Sequence, residues 1–374
     1  MTSQPTAVVV GGGIGGLATA LGLRRIGWRA RVLEQAPAFG EVGAGLSLWP
    51  NALRALDELG VGPAVRDVGV PAVSRGGMRL PSGTWLRHAR ADDVPVLMVH
   101  RAALLDVLRA AVPADWLYPG TTVTGVDLDA GTVAYRRDGG TRQDGADLLV
   151  GADGLHSVVR AAMWPGSEPR FDRRVVWRAV MPDAPRVEAS ITLGPDRQFG
   201  MLPLPGDAVY WFLTAPADRP GERAEDELAA VRDRVSGWHD PIPRLLAATA
   251  PDTVLRHDLY ALDPVPGFAR GGAVLLGDAA HAQTPDLGQG ACQAIEDAVV
   301  LAASLAGHGD RATALGAYDR RRRPRTQLIA RAAARQAEQN VRHYRALTRL
   351  IRFVPPPLWR RQAARFTDWT PPRL

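Results

Sequence analysis

Gly11-Gly12-Gly13-Ile14-Gly15-Gly16 lies between a short apolar run, Ala7 to Val10, and a helical pattern carried by Leu17, Ala20, Leu21 and Leu23. A second short run, Ala30-Arg31-Val32-Leu33-Glu34, follows that helix. Strand, glycine turn, helix and strand in this order form a βαβ opening, and the turn satisfies the G-x-G-x-x-G dinucleotide fingerprint. Each glycine has its own reason: Gly11 allows the tight turn, Gly13 lets a pyrophosphate approach the backbone, and Gly16 permits close helix packing. Ile14 and Gly15 open the helix, whose N-terminus then faces the phosphates. Glu34, with Gln35 beside it, ends the second strand where a carboxylate can accept both hydroxyls of an adenosine ribose. The fingerprint alone does not separate NAD from FAD.

Outward from this opening, His100 to Ala111 reads as a helix, and Ser74 to Ala89 as alternating segments folding back around Pro81-Ser82-Gly83. Asp147 to Val150 is an apolar strand running into Gly151-Ala152-Asp153-Gly154. Four strands are expected around Val175–Val180, Ala189–Leu193, Arg197–Leu202 and Ala208–Thr214, antiparallel by period and spacing. Ala273 to Leu276 is a buried-type strand, followed by a glycine-rich loop and an apolar helix from about Gln289 to Ala306. The alternation predicts an α/β nucleotide-binding domain made of residues 1–72, 99–170 and 268–318. A mainly antiparallel β-sheet substrate domain, residues 73–98 and 171–267, interrupts it, and residues 319–374 form a C-terminal helical segment.

Composition narrows the chemistry. The chain of 374 residues contains no lysine, so all 45 of its basic residues are arginine. Schiff-base, pyridoxal-phosphate, P-loop and kinase-type lysine mechanisms are excluded, because each needs an ε-amine that guanidinium cannot replace. The single cysteine, Cys292, rules out an intrachain disulfide and a cysteine metal cluster. No metal site is expected, and a reducing cytoplasm is the expected compartment. Gly11, Gly12, Gly13, Gly15 and Gly16 break the N-terminal apolar stretch from Ala7 to Leu23, so neither a signal peptide nor a membrane span is expected there.

A second and third motif extend the first. Ala273-Val274-Leu275-Leu276-Gly277-Asp278-Ala279-Ala280-His281 delivers an aspartate at a strand's C-terminal end, and Pro285-Asp286-Leu287-Gly288-Gln289-Gly290 precedes a helix. A flavin needs such a pair: polar groups for its ribityl chain and pyrophosphate, and a helix N-terminus for the negative charge of its reduced ring. With Asp147 to Gly154, Ser157 and Arg160, and with Ile295-Glu296-Asp297-Ala298, the chain resembles the single-component FAD-dependent aromatic hydroxylases over nearly its whole length. That family includes salicylate, para-hydroxybenzoate and urate hydroxylases.

The resemblance implies a Rossmann-like FAD-binding domain, with NADPH or NADH as co-substrate. Dioxygen would add to the reduced flavin as a C4a-hydroperoxide that hydroxylates an aromatic or polycyclic small molecule. It implies that Asp278, next to Gly277, holds the ribityl hydroxyls, that Arg101 reaches the phosphates or ribityl chain, and that backbone at Val123 meets the adenine. It further implies that Pro285 shapes the loop at the flavin, with Gly288, Gly290 and Ala291 beside it, and that Asp153 touches FAD and NAD(P)H. Read from its own residues, Asp153 is as well suited to cap a turn, and His281 to hold a loop together. Cys292 stands where many relatives carry asparagine and reads as a small packing residue.

Substrate-side candidates are Arg178, Arg197, Tyr210 and Trp211. Tyr210 and Phe212 share one strand face and Trp211 takes the other, so only one set can line a cavity. From Asp319 to Leu374 the chain carries 15 arginines against three acidic residues, a charge of +12, leaving −6 for the remainder. Pro324 is expected to start a helix whose stripe of Val341, Tyr344, Leu347, Leu350 and Ile351 packs on the acidic body. A flavin epoxidase or reductase of the same fold is the second enzyme reading. An arginine-tail module for nucleic acid or a membrane surface is the alternative from another class. No nucleic acid partner and no membrane span are expected, while peripheral membrane contact is left open, as is the choice between monomer and homodimer.

Overall fold

A computed structural model describes residues 4–40, 44–72, 76–185 and 187–374, with the side chains of Val341 and Leu347 outside the description. Thr6–Val10 is the centre of a six-stranded sheet, flanked by Leu148–Gly151 and Arg29–Leu33, both parallel to it. Ala273–Leu275 extends the sheet in parallel beyond Leu148–Gly151. Ala7 through Val10 are all buried, as an unbroken apolar run must be when helices cover both faces of a parallel sheet. Because these strands run the same way, the loops after Val10, Gly151 and Leu275 leave from one edge, and ligands bind at that carboxyl edge. The helices Ile14–Arg25 and Gly290–Ala306 pack on each other against this core.

A seven-stranded sheet carries the expected strands as Arg170–Met181, Ala189–Leu193, Gln198–Leu204 and Ala208–Pro216. The segment around Pro81 supplies Gly76–Arg79 and Trp85–His88 to the same sheet; Ser74, where that segment was expected to begin, lies outside the described residues. Gly76–Arg79 runs parallel to Ala189–Leu193, one parallel pairing in an otherwise antiparallel array. Residue alternation splits its faces. Trp177, Met181, Phe199, Met201, Trp211 and Leu213 form one core with the helices Glu227–Arg234 and Ile242–Ala248. Each such large apolar side chain contributes about 1.5–3 kcal/mol when buried. On the other face Val180, Leu202, Tyr210 and Phe212 meet Ala44 and Met98 of a small sheet built from Gly45–Leu48, Val96–His100 and Gly69–Ala72.

The C-terminal segment departs from expectation. Pro324 does not start a helix: it lies inside Arg311–Arg342, which begins at Asp310, whose carboxylate accepts from the Thr313 amide at 2.8 Å. The helix carries the proline because Arg322 and Arg325, on either side of residue 324, pair with the buried carboxylates of Glu296 and Asp297 in another helix. His343 then breaks the run before Tyr344–Leu350, the 3-10 turn Ile351–Phe353 and the helix Pro356–Thr367. The expected stripe therefore divides: Ile351 is buried and Tyr344 half-buried, but Leu350 is 64% exposed. A single helical wheel does not survive the break. Val341 and Leu347 of that stripe are not described.

Candidate active site

The fingerprint glycines differ in what surrounds them. Gly11 has φ of +102°, and a side-chain Cβ there would stand 2.3 Å from the Ala152 carbonyl oxygen. At Gly16 a Cβ would lie 1.9 Å from the Gly11 carbonyl oxygen, so the helix can approach the strand only without one. A Cβ at Gly13 would meet nothing within 4 Å, which leaves space at the helix N-terminus for a phosphate to reach the backbone. Ile14 is buried as the first helical residue, and Gly15 packs against Leu276. Glu34 accepts from the Gly12 amide at 2.7 Å and the Ala36 amide at 2.8 Å, which fixes its carboxylate at the strand end. Two oxygens with about four acceptor directions leave capacity for ribose hydroxyls. Gln35 is exposed beside it, and Val123 is buried in the strand Thr122–Asp127, just past Thr121, whose amide donates to the Glu34 carbonyl.

Asp153 is committed to its own turn. Its oxygens accept from the Ser157 hydroxyl at 2.5 Å and the Val158 amide at 2.8 Å, and Ser157 caps the helix Val158–Met163. Of the two readings open in the sequence, the geometry favours the cap. Arg160 carries the second loop to the third, donating to the carbonyls of Leu155, Ser167 and Ala279. Gly277, at φ of +56°, then turns the chain so that Asp278 is exposed at the carboxyl edge. Arg101 begins the helix Arg101–Ala111, and burial lowers its pKa while Asp278 favours its charge and Arg178 opposes it.

Pro285 and Gly288 are exposed in the next loop. Gly288 takes φ of +59°, and a Cβ there would approach the Trp49 indole nitrogen at 3.3 Å. Gly290 and Ala291 open the following helix, and a Cβ at Gly290 would meet nothing within 4 Å. Trp49 Nε1, Gln283 Nε2 and Thr284 Oγ1 are buried polar atoms without hydrogen-bond partners around this loop. Buried donors of this kind are costly unless something accepts from them. Open glycine backbone at two helix N-termini, an exposed aspartate and unpaired donors together fit a flavin dinucleotide. Asp286, its side chain 1% exposed, is gripped by both Nη atoms of Arg174 at 2.9 Å, joining this loop to the seven-stranded sheet.

The sheet's inward face brings Tyr210 and Arg178 together, while Trp211 and Arg197 lie elsewhere. Burial raises the Tyr210 phenol, against the opposing pull of Arg178, which hydrogen-bonds to it, and of Arg101. Arg178 Nη2 also lies 3.3 Å from His257 Nδ1, which must accept because guanidinium has no acceptor. The Tyr210 ring packs over Gly45, where a Cβ would come within 2.5 Å of it. Trp211 is not a substrate-side residue: it is fully buried on the opposite face, stacked on Phe199 with its indole donating to Thr249. Arg197 is spent on Asp196 and the Arg234 carbonyl. Its strand position alone gave no sign of these partners.

Below the site lies a buried ionic network that the sequence left unread. Arg322 donates to Asp297 at 2.6 Å, to Glu296 at 2.5 Å and to the Gln293 side chain at 2.8 Å. Arg325 grips both oxygens of Glu296, and Asn51 adds a bond at 2.7 Å. Asp297 also accepts from the Gly277 amide at 2.9 Å and pairs with His281 at 2.6 Å, so His281 holds the loop together as its own sequence context suggests. The signal was available: adjacent carboxylates in an otherwise apolar helix demand buried cations. Burial pushes Asp297 up, but Arg322 and His281 outweigh it and hold the carboxyl down at about 2, from 3.8. A depressed folded pKa contributes stability above the unfolded value that is lost as pH falls through the folded one. Acid titration followed by circular dichroism is therefore expected to show stability falling between about pH 4 and about pH 2.

These features define a flavoprotein: a dinucleotide turn, a Gly-Asp loop and a glycine-led helix at one sheet edge, facing a second sheet. The sequence matches the FAD binding domain family over residues 4–333. It is 39% identical over 328 residues to aurachin C monooxygenase/isomerase of Stigmatella aurantiaca, covering 85% of each chain. To 3-amino-4-hydroxybenzoate 2-monooxygenase of Streptomyces cremeus it is 35% identical, covering 88% of this chain and 86% of that one. HpxO of Klebsiella pneumoniae, solved with FAD and uric acid, superposes with a TM-score of 0.88 at 27% identity, over 100% of this chain and 98% of that one. The chain belongs to the FAD binding domain family and is an FAD-dependent monooxygenase. The epoxidase or reductase reading and the non-enzymatic reading of the arginine tail find no support among these relatives. No helix among the described residues is long and apolar enough to cross a membrane.

Proposed function

We propose that this enzyme hydroxylates an electron-rich aromatic or polycyclic small molecule, using NADH or NADPH and dioxygen. The observation that carries the reading is the meeting of Arg101, Asp278, Arg178 and Tyr210, which brings the Gly-Asp loop against an otherwise apolar sheet face. FAD would run along the carboxyl edge, its pyrophosphate at Gly13, its adenosine ribose on Glu34 and its adenine by Val123. Its ribityl chain would lie between Arg101 and Asp278, and its ring at the helix led by Gly290 and Ala291. When bound, the flavin supplies reducing equivalents and activates dioxygen for transfer of one oxygen atom.

The protein's own residues prepare the substrate. Arg178 favours the deprotonated form of an acidic hydroxyl placed near it, and Tyr210, kept neutral by burial, donates a hydrogen bond. Phe212, whose ring lies over Gly200, and Leu202 keep water from the reacting edge. We place the boundary of the substrate domain at residues 73–98 and 171–267, and the working compartment in the cytoplasm, where Cys292 stays reduced. The purified protein is expected to be yellow, to bleach with NADPH or NADH under nitrogen, and to put one atom of labelled dioxygen into a phenolic product. Glu34→Ala and Asp278→Ala are each expected to lower flavin retention by about tenfold or more. Full flavin occupancy in both variants would refute the placement, and colourless protein after reconstitution would refute the reading.

A further inference from the structure

Among the described residues, five large apolar side chains are exposed, and three of them fall on one corner: Leu350 at 64%, Phe353 at 75% and Leu358 at 53%. That corner joins the helices Tyr344–Leu350 and Pro356–Thr367 through the turn Ile351–Phe353. Arg345, Arg349, Arg352, Arg361 and Arg365 are exposed around it; the chain has no acidic residue between Glu338 and Asp368, and Asp92, from elsewhere in the fold, pairs with Arg360. The corner is built into the fold. Ile351 is buried with Leu86 and Leu193, and the Tyr344 hydroxyl donates to the Leu193 carbonyl at 3.1 Å. Arg87 stacks over Trp359 at 5.0 Å, and Arg54 bonds the carbonyls of Thr367 and Trp369.

Exposed aliphatic and aromatic side chains cost free energy in water, and a monomer that presents them together has a surface to cover. The charge decides among occupants. A second copy of this chain meeting it corner to corner would bring its own arginines against these, a like-charge pairing that disfavours a symmetric dimer through the corner. An acidic protein face would pair with the arginines but would not take up the apolar tips as an acyl layer does. A polyanionic nucleic acid would satisfy the guanidinium groups but leave Leu350 and Leu358 without a use. An acidic lipid surface satisfies both sets: head-group phosphates pair with arginine while the apolar tips enter the boundary of the acyl region. We propose that the corner formed by residues 344–365 docks the enzyme on an anionic lipid bilayer. Tyr344 also lines a small cavity with Gln198, Thr214 and Asp286, so docking would set the substrate sheet and the flavin loop near the membrane plane.

Flotation of the FAD-loaded enzyme with phosphatidylcholine vesicles containing about one third phosphatidylglycerol tests this. Binding is expected to the anionic vesicles, to fall by at least about tenfold on pure phosphatidylcholine, and to weaken as salt rises from about 0.05 M to about 0.5 M. Two variant sets probe its two halves: Leu350→Ser with Phe353→Ser and Leu358→Ser, and Arg349→Gln with Arg352→Gln and Arg361→Gln. Each set is expected to lose at least about tenfold in vesicle binding while flavin absorbance and oxidation of NAD(P)H in solution stay unchanged. Absence of binding by the parent enzyme overturns the proposal, as does binding that both variant sets retain. It is equally overturned if sedimentation shows a dimer that the serine variants dissociate, or if DNA displaces the vesicles without needing the apolar tips. These readouts are separate from the reaction, so a failed hydroxylation assay would leave vesicle binding to be judged by itself.

Discussion

Arg322→Met is expected to lower the free energy of unfolding by roughly 3–5 kcal/mol, read from chemical denaturation of the FAD-loaded protein. The guanidinium is 1% exposed, while Glu296 and Asp297 have no exposed side-chain surface. Removing it leaves Glu296 to Arg325 and Asp297 to His281, two carboxylates with about half their compensation. Arg322→Lys is expected to recover little, because one ammonium cannot span both carboxylates and the Gln293 side chain in the same geometry. Neutralising the carboxylates as well, with Glu296→Gln and Asp297→Asn, should restore much of the loss, since an uncharged interior costs less than an unpaired charge. A cost below about 1 kcal/mol would show that the network is not what fixes the helix Arg311–Arg342 to the body. Flavin affinity should fall too, because Asp297 holds the Gly277 amide that presents Asp278.

Gly11→Ala and Gly13→Ala are expected to separate folding from flavin binding. At Gly11 the added methyl meets the Ala152 carbonyl at 2.3 Å with φ at +102°, so the turn must open, at about 2 kcal/mol or more, and flavin is lost with it. At Gly13 the methyl meets no protein atom within 4 Å, so stability should stay within about 0.5 kcal/mol while flavin occupancy drops. Denaturation midpoints and the flavin-to-protein absorbance ratio measure the two effects. Equal stability in both variants would contradict the geometry of the turn, and undiminished flavin in Gly13→Ala would contradict a phosphate approaching there.

Much of this fold is legible where one residue type has one physical use. The fingerprint glycines, the apolar run Ala7–Val10 and the strands around Val175, Gln198 and Ala208 are such cases. Legibility ends where a side chain has two good uses and the choice depends on distant chain. Asp153 suits a cofactor or a cap, and only the approach of Ser157 and Val158 shows the cap. Tyr210 and Trp211 are adjacent on one strand, and the helices Glu227–Arg234 and Ile242–Ala248, on one side only, decide which of them lies in a core. Neither helix was foreseen, nor the meander of Thr122–Asp127, Thr132–Arg137 and Gly140–Gly145, whose third strand is polar and exposed and whose second buries only Val133 and Tyr135, too short an alternation to stand out. Arg174 and Arg322 were unmarked among 45 arginines, because a buried ion pair is defined by a partner far away in sequence.

Cys292 is the chain's single thiol, fully buried in the helix Gly290–Ala306 with its pKa pushed up to about 12. A disulfide reagent can therefore capture it only when that helix detaches, and the capture rate counts those openings directly. The molecule carries its own clock for motion of this helix, with no other sulfhydryl to silence. The same silence makes any cysteine introduced on the surface, at Phe353 for instance, a uniquely addressable position for a spin label or a fluorophore.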